Sequence, residues 1–415
     1  MEEFQLREED RKKTLLVSLS EILFLFYLFF SVNDILLLPL GVLWIKNVLL
    51  ALLAIILFLS LGFKYLGHIL YLAILTGLFF VSFTVAVIYG NNLDYAAQEN
   101  MALFVTFITP FMMLLFVNRN IKMAIHISII FLWAIVFATV HKIIYIAFMQ
   151  GYLSGAVLDL VYEGVAGRGR VDDLERLNTG NQLLVSLALF VAYRFFVIGY
   201  RRQFMCFVMI ICILNIYLTA SLFFTGTTFL LLGIFMLISL QTRLLSKAFF
   251  TIATTFFAYF LTSDLFTARE GANMIEDGNI YRALQAEMLF ESFLSAPFLG
   301  NGPGFAIEDL GAEVPWLFEN QVFVLFAKYG IFGFFAFIAL LTLQFKMTRF
   351  SLSLICYLFS IGFIFLASLF NPYLFGSYAA WAFAISLILA YLFKSDNQGL
   401  ILSSGISMRS PEIIR

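Results

Sequence analysis

Charged residues, histidine and cysteine are all scarce in this chain of 415 residues. Asp, Glu, Lys and Arg make up 12% of the sequence, whereas a soluble domain contains roughly a quarter. The three cysteines lie within apolar runs, and the three histidines form neither an HExxH motif nor a pairing with cysteine. These shortages exclude a disulfide framework and argue against a transition-metal site. We therefore expect no metal and no other cofactor.

Hydrophobic residues are correspondingly abundant, at 62% of the chain, and the mean hydropathy is +0.97. They are grouped in runs of about 17 to 25 residues, which is the length needed to cross a hydrocarbon core about 30 Å thick. Inside a bilayer the backbone must satisfy its own polar groups, so such runs form helices. The composition therefore predicts an all-α, polytopic integral membrane protein, and no nucleic-acid partner is expected.

The apolar runs predict about twelve membrane spans in a single transmembrane domain covering residues 14–394. Segments 1–13 and 395–415 flank this domain, and the mixed charges of 1–13 differ from those of a cleavable signal peptide. The predicted spans are residues 14–32, 44–62, 69–89, 100–117, 123–148, 179–198, 204–219, 224–241, 248–264, 319–344, 351–370 and 378–394.

The basic residues are distributed unequally between the two predicted sides of the membrane. Seventeen of the 25 Lys and Arg residues fall on the side of the N-terminus, and cytoplasmic segments carry such an excess. We therefore expect both termini to be cytoplasmic. The eight basic residues predicted for the outer half are Lys46, Lys142, Arg168, Arg170, Arg176, Arg269, Arg282 and Lys328.

Two connections on the predicted outer, periplasmic side are much longer than the others, at about 150–178 and 266–318. Long loops in compact proteins are usually functional. The second loop contains eight acidic residues and two arginines. An excess of acid is ordinary for a translocated loop, so most of these carboxylates need no special function.

The second loop includes a predicted helix followed by a glycine-rich turn. Residues 279–295 have a helical pattern, with Asp277 or Asn279 as the N-cap. This helix should end before Pro297, which precedes the segment GNGPG at 300–304. One face of the helix should carry an apolar stripe at helical spacing, formed by Ile280, Leu284 and Met288.

The basic residues of the outer half predict a cavity for an anion, and a lipid-linked phosphate is the natural candidate. Lys46, Lys142 and Lys328 lie in the outer halves of their spans and could reach a common vestibule, or each could snorkel separately to the headgroups. Backbone N–H groups of the glycine-rich segment could also approach a phosphate, or the segment could be a plain turn; its glycines are Gly300, Gly302 and Gly304.

Glu319 and Asn320 begin the tenth predicted span directly after the second loop. A partly desolvated carboxylate at this position is a candidate general base toward a sugar hydroxyl. The alternative is a structural charge near a helix N-terminus, which the helix dipole favours.

Short motifs between residues 165 and 345 resemble those of a known family. They are an Arg-led amphipathic helix (YRALQAEMLF), a Pro–hydrophobic–Gly–x–Gly turn (APFLGNGPG), a polar pair opening the next span (Glu319–Asn320) and a glycine pair within that span (KYGIFGFF). The segment ERLNTGNQLL, with Arg176 and Asn181, adds an arginine before an Asn-containing entry to a span. This combination resembles the O-antigen polymerase and O-antigen ligase superfamily, membrane glycosyltransferases of the GT-C class.

The resemblance implies a polymerase whose donor is a growing polysaccharide on undecaprenyl pyrophosphate and whose acceptor is one repeat unit on the same lipid. The chain would pass en bloc to the new unit, without a nucleotide sugar or a divalent metal. Arg176 and Arg282 would be catalytic clamps on the pyrophosphate, and Glu319 the base or an acceptor-orienting group. Membrane lipid and a chain-length regulator are further partners to consider. Additional substrate-binding candidates are Arg168, Arg170, Arg269, Lys46, Lys142, Lys328, Asn320, Gly300, Gly302 and Gly304.

Two departures from the family pattern favour a polymerase over a ligase that transfers O-antigen to lipid A-core. The polar pair is Glu–Asn where the ligases most regularly have His–Asn, and the outer turn TASLFFTGTT lacks the family's arginine. A flippase or secondary transporter is a second alternative, which twelve spans suit, although no internal repeat is visible. A third is the other GT-C branch, which uses an acidic residue in its first outer loop, where this chain has Asp34.

Overall fold

The computed structural model describes most of the apolar runs and, within the second long loop, residues 274–307. The predicted span 248–264 and most of the predicted loop 150–178 lie outside the described residues. The described residues are 18–33, 44–61, 66–149, 151–154, 170–171, 174–175, 182–218, 222–238, 274–307, 318–349, 351–370 and 374–394.

Twelve helices and one pair of two-residue strands make up the described part of the chain. The strands β1 (Arg170–Val171) and β2 (Leu174–Glu175) pair antiparallel, with Arg170 opposite Glu175. The helices are α1 (Ser18–Val32), α2 (Trp44–Leu61), α3 (Leu66–Ile88), α4 (Leu93–Arg119), α5 (Lys122–Met149), α6 (Gln182–Val197), α7 (Arg202–Leu218), α8 (Leu222–Ile238), α9 (Met274–Ser295), α10 (Gln321–Lys346), α11 (Leu354–Ser368) and α12 (Ser377–Leu392).

Helix occupies eleven of the twelve predicted spans, and the remaining one is the span outside the described residues. Helices α3, α4, α5 and α10 are long and apolar enough to cross a membrane. The other apolar helices are shorter. The chain is therefore a helical membrane protein, and the total of twelve spans stays a prediction.

Helix α12 is the centre of the bundle, because nearly every side chain along it is buried. It packs against α4, α6 and α11. Its alanines allow neighbouring backbones to approach closely, as small residues do between helices in membranes. The aromatic rings of Trp381 and Phe383 fill the remaining space, and Trp381 lies 5.3 Å from Phe24 and 5.7 Å from Tyr27, measured between ring centroids.

One end of the bundle collects helix termini and basic residues. The side chain of Asn118 donates to Met347 O at 2.8 Å and accepts from Arg349 N at 2.9 Å, which joins the ends of α4 and α10. Arg194 on α6 donates from Nε to Leu392 O at 2.7 Å, which adds the end of α12. Basic residues at these termini were all predicted for the cytoplasmic side: Arg119, Lys122, Arg194, Arg202, Lys346, Arg349 and Lys394.

Candidate functional site

At the opposite end of the bundle, α9 packs along the first half of α10. The contact is apolar: Leu289 of α9 is buried together with Phe318, Val324 and Ala327. Leucine and phenylalanine side chains on these facing surfaces exclude water and fix the position of α9. The predicted loop helix is therefore present and packed against the span that follows it.

The predicted start and N-cap of the loop helix are wrong. The helix begins at Met274, so Asp277 and Asn279 lie within it and neither is its N-cap. The residues of the predicted apolar stripe differ in environment, because Ile280 and Leu284 are 60% and 45% exposed, whereas Met288 packs against the buried cluster around Leu289. In a membrane protein the exposed side of a helix can be as apolar as the buried side, so periodicity does not reveal which face is packed.

Arg282 of α9 and Glu319 before α10 form an ion pair at this end of the bundle. Arg282 Nε donates to Glu319 Oε2 at 3.0 Å, and both side chains are partly exposed, at 34% and 43%. Both residues were predicted as site residues from the sequence, and the fold brings them into contact across the intervening loop residues. The catalytic functions predicted for them stay predictions.

Asn320 and Gln285 make a second contact beside this pair. Asn320 N donates to Gln285 Oε1 at 2.9 Å, and Asn320 Oδ1 accepts from Phe323 N at 3.4 Å as the N-cap of α10. The cap of the tenth predicted span is thus Asn320, while the Glu319 carboxylate binds Arg282. Gln285 lies one turn from Arg282 on the same face of α9.

The glycine-rich segment after α9 docks onto a break in α10. Gly330 interrupts α10 with φ 63° and ψ −171°, a conformation that favours glycine. The backbone groups released there bond to the segment before the glycines: Ile331 N donates to Pro297 O at 2.9 Å, and Phe332 N donates to Phe298 O at 3.1 Å. A broken helix of this kind satisfies its backbone within the protein, as the membrane requires.

The backbone N–H groups of the three predicted phosphate-binding glycines already donate within the protein. Gly300 N donates to Ala296 O at 2.9 Å, and Gly302 N donates to Lys328 O at 2.9 Å. Gly304 N donates to Glu99 Oε2 at 2.6 Å. The geometry therefore favours the alternative stated above, a packed turn, over the prediction that these groups bind phosphate.

Close backbone approach explains why glycine occupies these positions. A Cβ on Gly302 would lie 2.7 Å from Ala86 N, and a Cβ on Gly304 would lie 2.6 Å from Asn92 O. A Cβ on Gly300 would overlap the backbone of Lys328. The turn is thus wedged between α3, α4 and α10.

Glu99 is a residue of this region that the sequence analysis did not identify. It lies on α4, which begins at Leu93 rather than near residue 100 as predicted. Its Oε1 accepts from Lys328 Nζ at 2.5 Å, and its Oε2 accepts from Gly304 N. The Lys328 side chain is fully buried, and its Nζ also lies 5.0 Å from the centroid of the Phe318 ring. The signal in the sequence was Lys328 itself, because a lysine within an apolar span calls for an acidic partner.

The three lysines predicted for one outer vestibule have different partners on different helices. Lys328 pairs with Glu99 of α4, and Lys46 Nζ donates to Ser377 Oγ of α12 at 3.3 Å. Lys142 is fully buried between α5 and α7, where its Nζ donates to Asn215 Oδ1 at 3.4 Å. A single vestibule shared by the three lysines stays a prediction.

The remaining predicted site residues belong to the long loop at about 150–178 and to the segment before α9, and Asp34 belongs to the connection after α1. Arg170 lies in β1, where the structure describes the backbone only. The others lie outside the described residues: Arg168, Arg176, Arg269 and Asp34.

Within the part of the chain that the structure describes, no group of three or more His, Cys, Asp or Glu residues is placed to hold a metal ion. No protein-family model, curated protein or solved structure matches the chain. The side chains of Arg282, Glu319, Gln285 and Asn320, referred to below as the α9–α10 site, are therefore the basis for a functional proposal.

Proposed function

We propose that the chain is a glycosyltransferase of the bacterial inner membrane that polymerises undecaprenyl-pyrophosphate-linked O-antigen repeat units at the periplasmic face. The proposal includes twelve spans and cytoplasmic termini. It is carried by one observation: the partly exposed Arg282–Glu319 pair lies at the end of the bundle opposite the basic helix termini. A site for a periplasmic, lipid-linked substrate is needed at that end.

In the proposed reaction Arg282 stabilises the negative charge of the leaving pyrophosphate. The acceptor hydroxyl oxygen forms a bond to the anomeric carbon of the donor sugar while the bond from that carbon to pyrophosphate breaks. The hydroxyl proton leaves to a base or to water, and the leaving pyrophosphate keeps the electron pair. A guanidinium bound to its oxygens stabilises this charge, because a preorganised cation does so without a large reorganisation.

Exposed apolar side chains on α9 and α10 suit a lipid substrate. Phe298 and Phe332 contact each other with ring centroids 5.9 Å apart, and both are exposed, at 62% and 58%. Ile280 and Leu284, each two residues from Arg282 in the sequence, are also exposed. A prenyl chain could therefore stay in the hydrocarbon region while its diphosphate reaches Arg282.

The decisive experiment gives the purified protein in nanodiscs a single substrate, the lipid-linked repeat unit. A polymerase makes a ladder of lengthened chains from this substrate alone. A ligase makes no ladder without lipid A-core, and a flippase or transporter leaves the length of every chain unchanged. Absence of a ladder, with lipid-linked repeat unit still intact, would contradict the proposal.

A chelator distinguishes the remaining enzymatic alternative. We expect the ladder to persist in excess EDTA, because Arg282 and not a divalent cation stabilises the leaving group. A ladder that disappears with EDTA and returns with Mg²⁺ or Mn²⁺ would favour the other GT-C branch.

A further inference from the structure

We infer that Gln285 is a ligand-binding residue, and that its amide nitrogen and the terminal nitrogens of Arg282 together bind one phosphate group of a lipid diphosphate. The identity of the ligand rests on the proposed function. The binding geometry rests on the contacts of the α9–α10 site alone.

The first observation concerns the buried side-chain amide of Gln285, in which one of the two polar atoms has a hydrogen-bond partner among the described residues. Gln285 is fully buried, and its Oε1 accepts from Asn320 N at 2.9 Å. This bond fixes which end of the amide is oxygen, so the other end is the NH₂ donor. Among the described residues Nε2 has no acceptor. A buried donor without a partner is destabilising and is rare in folded proteins, so a function or a bound molecule is the usual explanation.

The second observation is that Arg282 uses only one of its donor positions. Its Nε donates to Glu319, and within the described part of the chain no acceptor binds the two terminal nitrogens. The terminal nitrogens of a guanidinium are the fork that binds phosphate in a bidentate manner. The single contact with Glu319 therefore orients the fork without occupying it.

Two consecutive residues hold the two donors. Glu319 fixes Arg282 through its carboxylate, and Asn320 fixes Gln285 through its backbone N–H. The two donors lie three residues apart on α9 and share a face of that helix. Glu319 and Asn320 are thus positioning residues, whereas Arg282 and Gln285 supply the hydrogen bonds to the ligand.

A phosphate group matches this donor set better than a neutral sugar. The set combines a delocalised positive charge with uncharged N–H donors, and phosphate oxygens accept from both. Gln285 is covered in this structure, so a ligand reaches it only after a side-chain shift. Arg282 and Glu319 are its partly exposed neighbours.

The experiment measures binding of farnesyl diphosphate to the full-length protein in phosphatidylcholine nanodiscs. Gln285→Glu keeps an oxygen for Asn320 N but replaces the donor with a negative charge, so we expect affinity to fall at least about tenfold. Gln285→Met should lower it about threefold to tenfold. The matched control is Gln344→Met, a buried glutamine on α10 that bonds Tyr71 far from the site; its affinity should stay within about twofold.

Two further ligands identify the source of the phosphate. Inorganic pyrophosphate should bind at least about tenfold more weakly than farnesyl diphosphate, because it lacks the apolar chain. Equal binding of pyrophosphate, or displacement of farnesyl diphosphate by phosphatidylglycerol in the nanodisc, would overturn a site for a lipid diphosphate.

The outcome separates this inference from the proposed function. If both Gln285 variants bind farnesyl diphosphate like the wild type, the amide holds a structural water and the inference is wrong, even where the wild type makes a ladder. If the variants lose binding and the wild type makes no ladder, the phosphate site stands and the polymerase proposal fails. Melting temperatures of all variants, measured in the same nanodiscs, show whether each protein is folded.

Discussion

Two ion pairs lie near each other around α10, and their surroundings differ. Arg282–Glu319 is partly exposed on both sides, joined by one hydrogen bond of 3.0 Å. Lys328–Glu99 is almost entirely buried, with side chains 0% and 13% exposed, and its carboxylate also binds Gly304 N. Phe318 separates them, because its ring lies against Lys328 and its backbone leads into Glu319. The chain therefore places an open pair and a closed pair on either side of one aromatic residue.

The difference indicates which pair a substrate can use. An exposed pair contributes little to stability, about 0 to 1 kcal/mol, so a ligand that binds Arg282 beside Glu319 changes the stability of the fold little. A buried pair behaves differently, because removing either partner leaves an uncompensated charge in a poorly solvating interior. We therefore propose that Lys328–Glu99 stabilises the packing of α4 against α10 and that Arg282–Glu319 is the pair that contacts a substrate.

The largest expected effect is on the buried pair. Glu99→Ala leaves Lys328 without its carboxylate and should lower the free energy of unfolding by about 3 to 5 kcal/mol. Thermal unfolding in detergent measures this loss. The double variant Glu99→Gln/Lys328→Met has no buried charge to compensate and should unfold at a higher temperature than Glu99→Ala. Wild-type melting of the single variant would show that the buried pair is dispensable.

A smaller effect is expected at the break in α10, where the glycine-rich segment after α9 docks. Gly330→Ala places a Cβ against the carbonyl of Phe298 at a φ of 63°, so we expect a loss of about 1 to 3 kcal/mol. The matched control is Gly362→Ala in α11, where a Cβ would meet no atom within 4 Å. Thermal unfolding should separate the two variants. Equal melting temperatures would mean that the glycine-rich turn does not fix α10.

The smallest expected effect concerns the open pair and separates two functions of Glu319. Glu319→Gln retains an oxygen that accepts from Arg282 Nε, so a positioning residue should lose less than about tenfold in the rate of chain extension. A general base would lose about 10² to 10⁴-fold, because an amide cannot take the proton. The rate is measured from the growth of the ladder. A loss above about a hundredfold would restore the prediction of Glu319 as the base.

The sequence was sufficient to predict the helices, because long apolar runs leave the backbone no other structure in a membrane. It was also sufficient to select Arg282 and Glu319, since the first runs against the charge bias of the membrane and the second opens a span. The packed face of α9 was not predictable, because both faces of that helix are apolar. Its start was missed by five residues, although Asn273 precedes Met274 and Glu276 follows Asn273 by three residues, a pattern typical of a helix start.

Glu99 and Gln285 were missed for a different physical reason. Each is an ordinary polar residue in sequence, and each gains its importance from the register of two helices that only the fold sets. Glu99 precedes its partner Lys328 by 229 residues in the sequence, and Gln285 precedes Asn320 by 35 residues. The glycine-rich turn was open to two interpretations, and the hydrogen bonds of its N–H groups favour packing.

The central claim is that the open pair, Arg282–Glu319, contacts the substrate, whereas the closed pair, Lys328–Glu99, stabilises the fold. Arg282→Ala tests this claim most directly. Chain extension from lipid-linked repeat units and thermal unfolding are measured on the same preparation, beside Arg202→Ala, which removes an exposed arginine at the opposite end. We expect Arg282→Ala to extend chains at least about a hundredfold more slowly and to unfold within about 1 kcal/mol of the wild type. Long polymer made by Arg282→Ala at the wild-type rate would contradict the account.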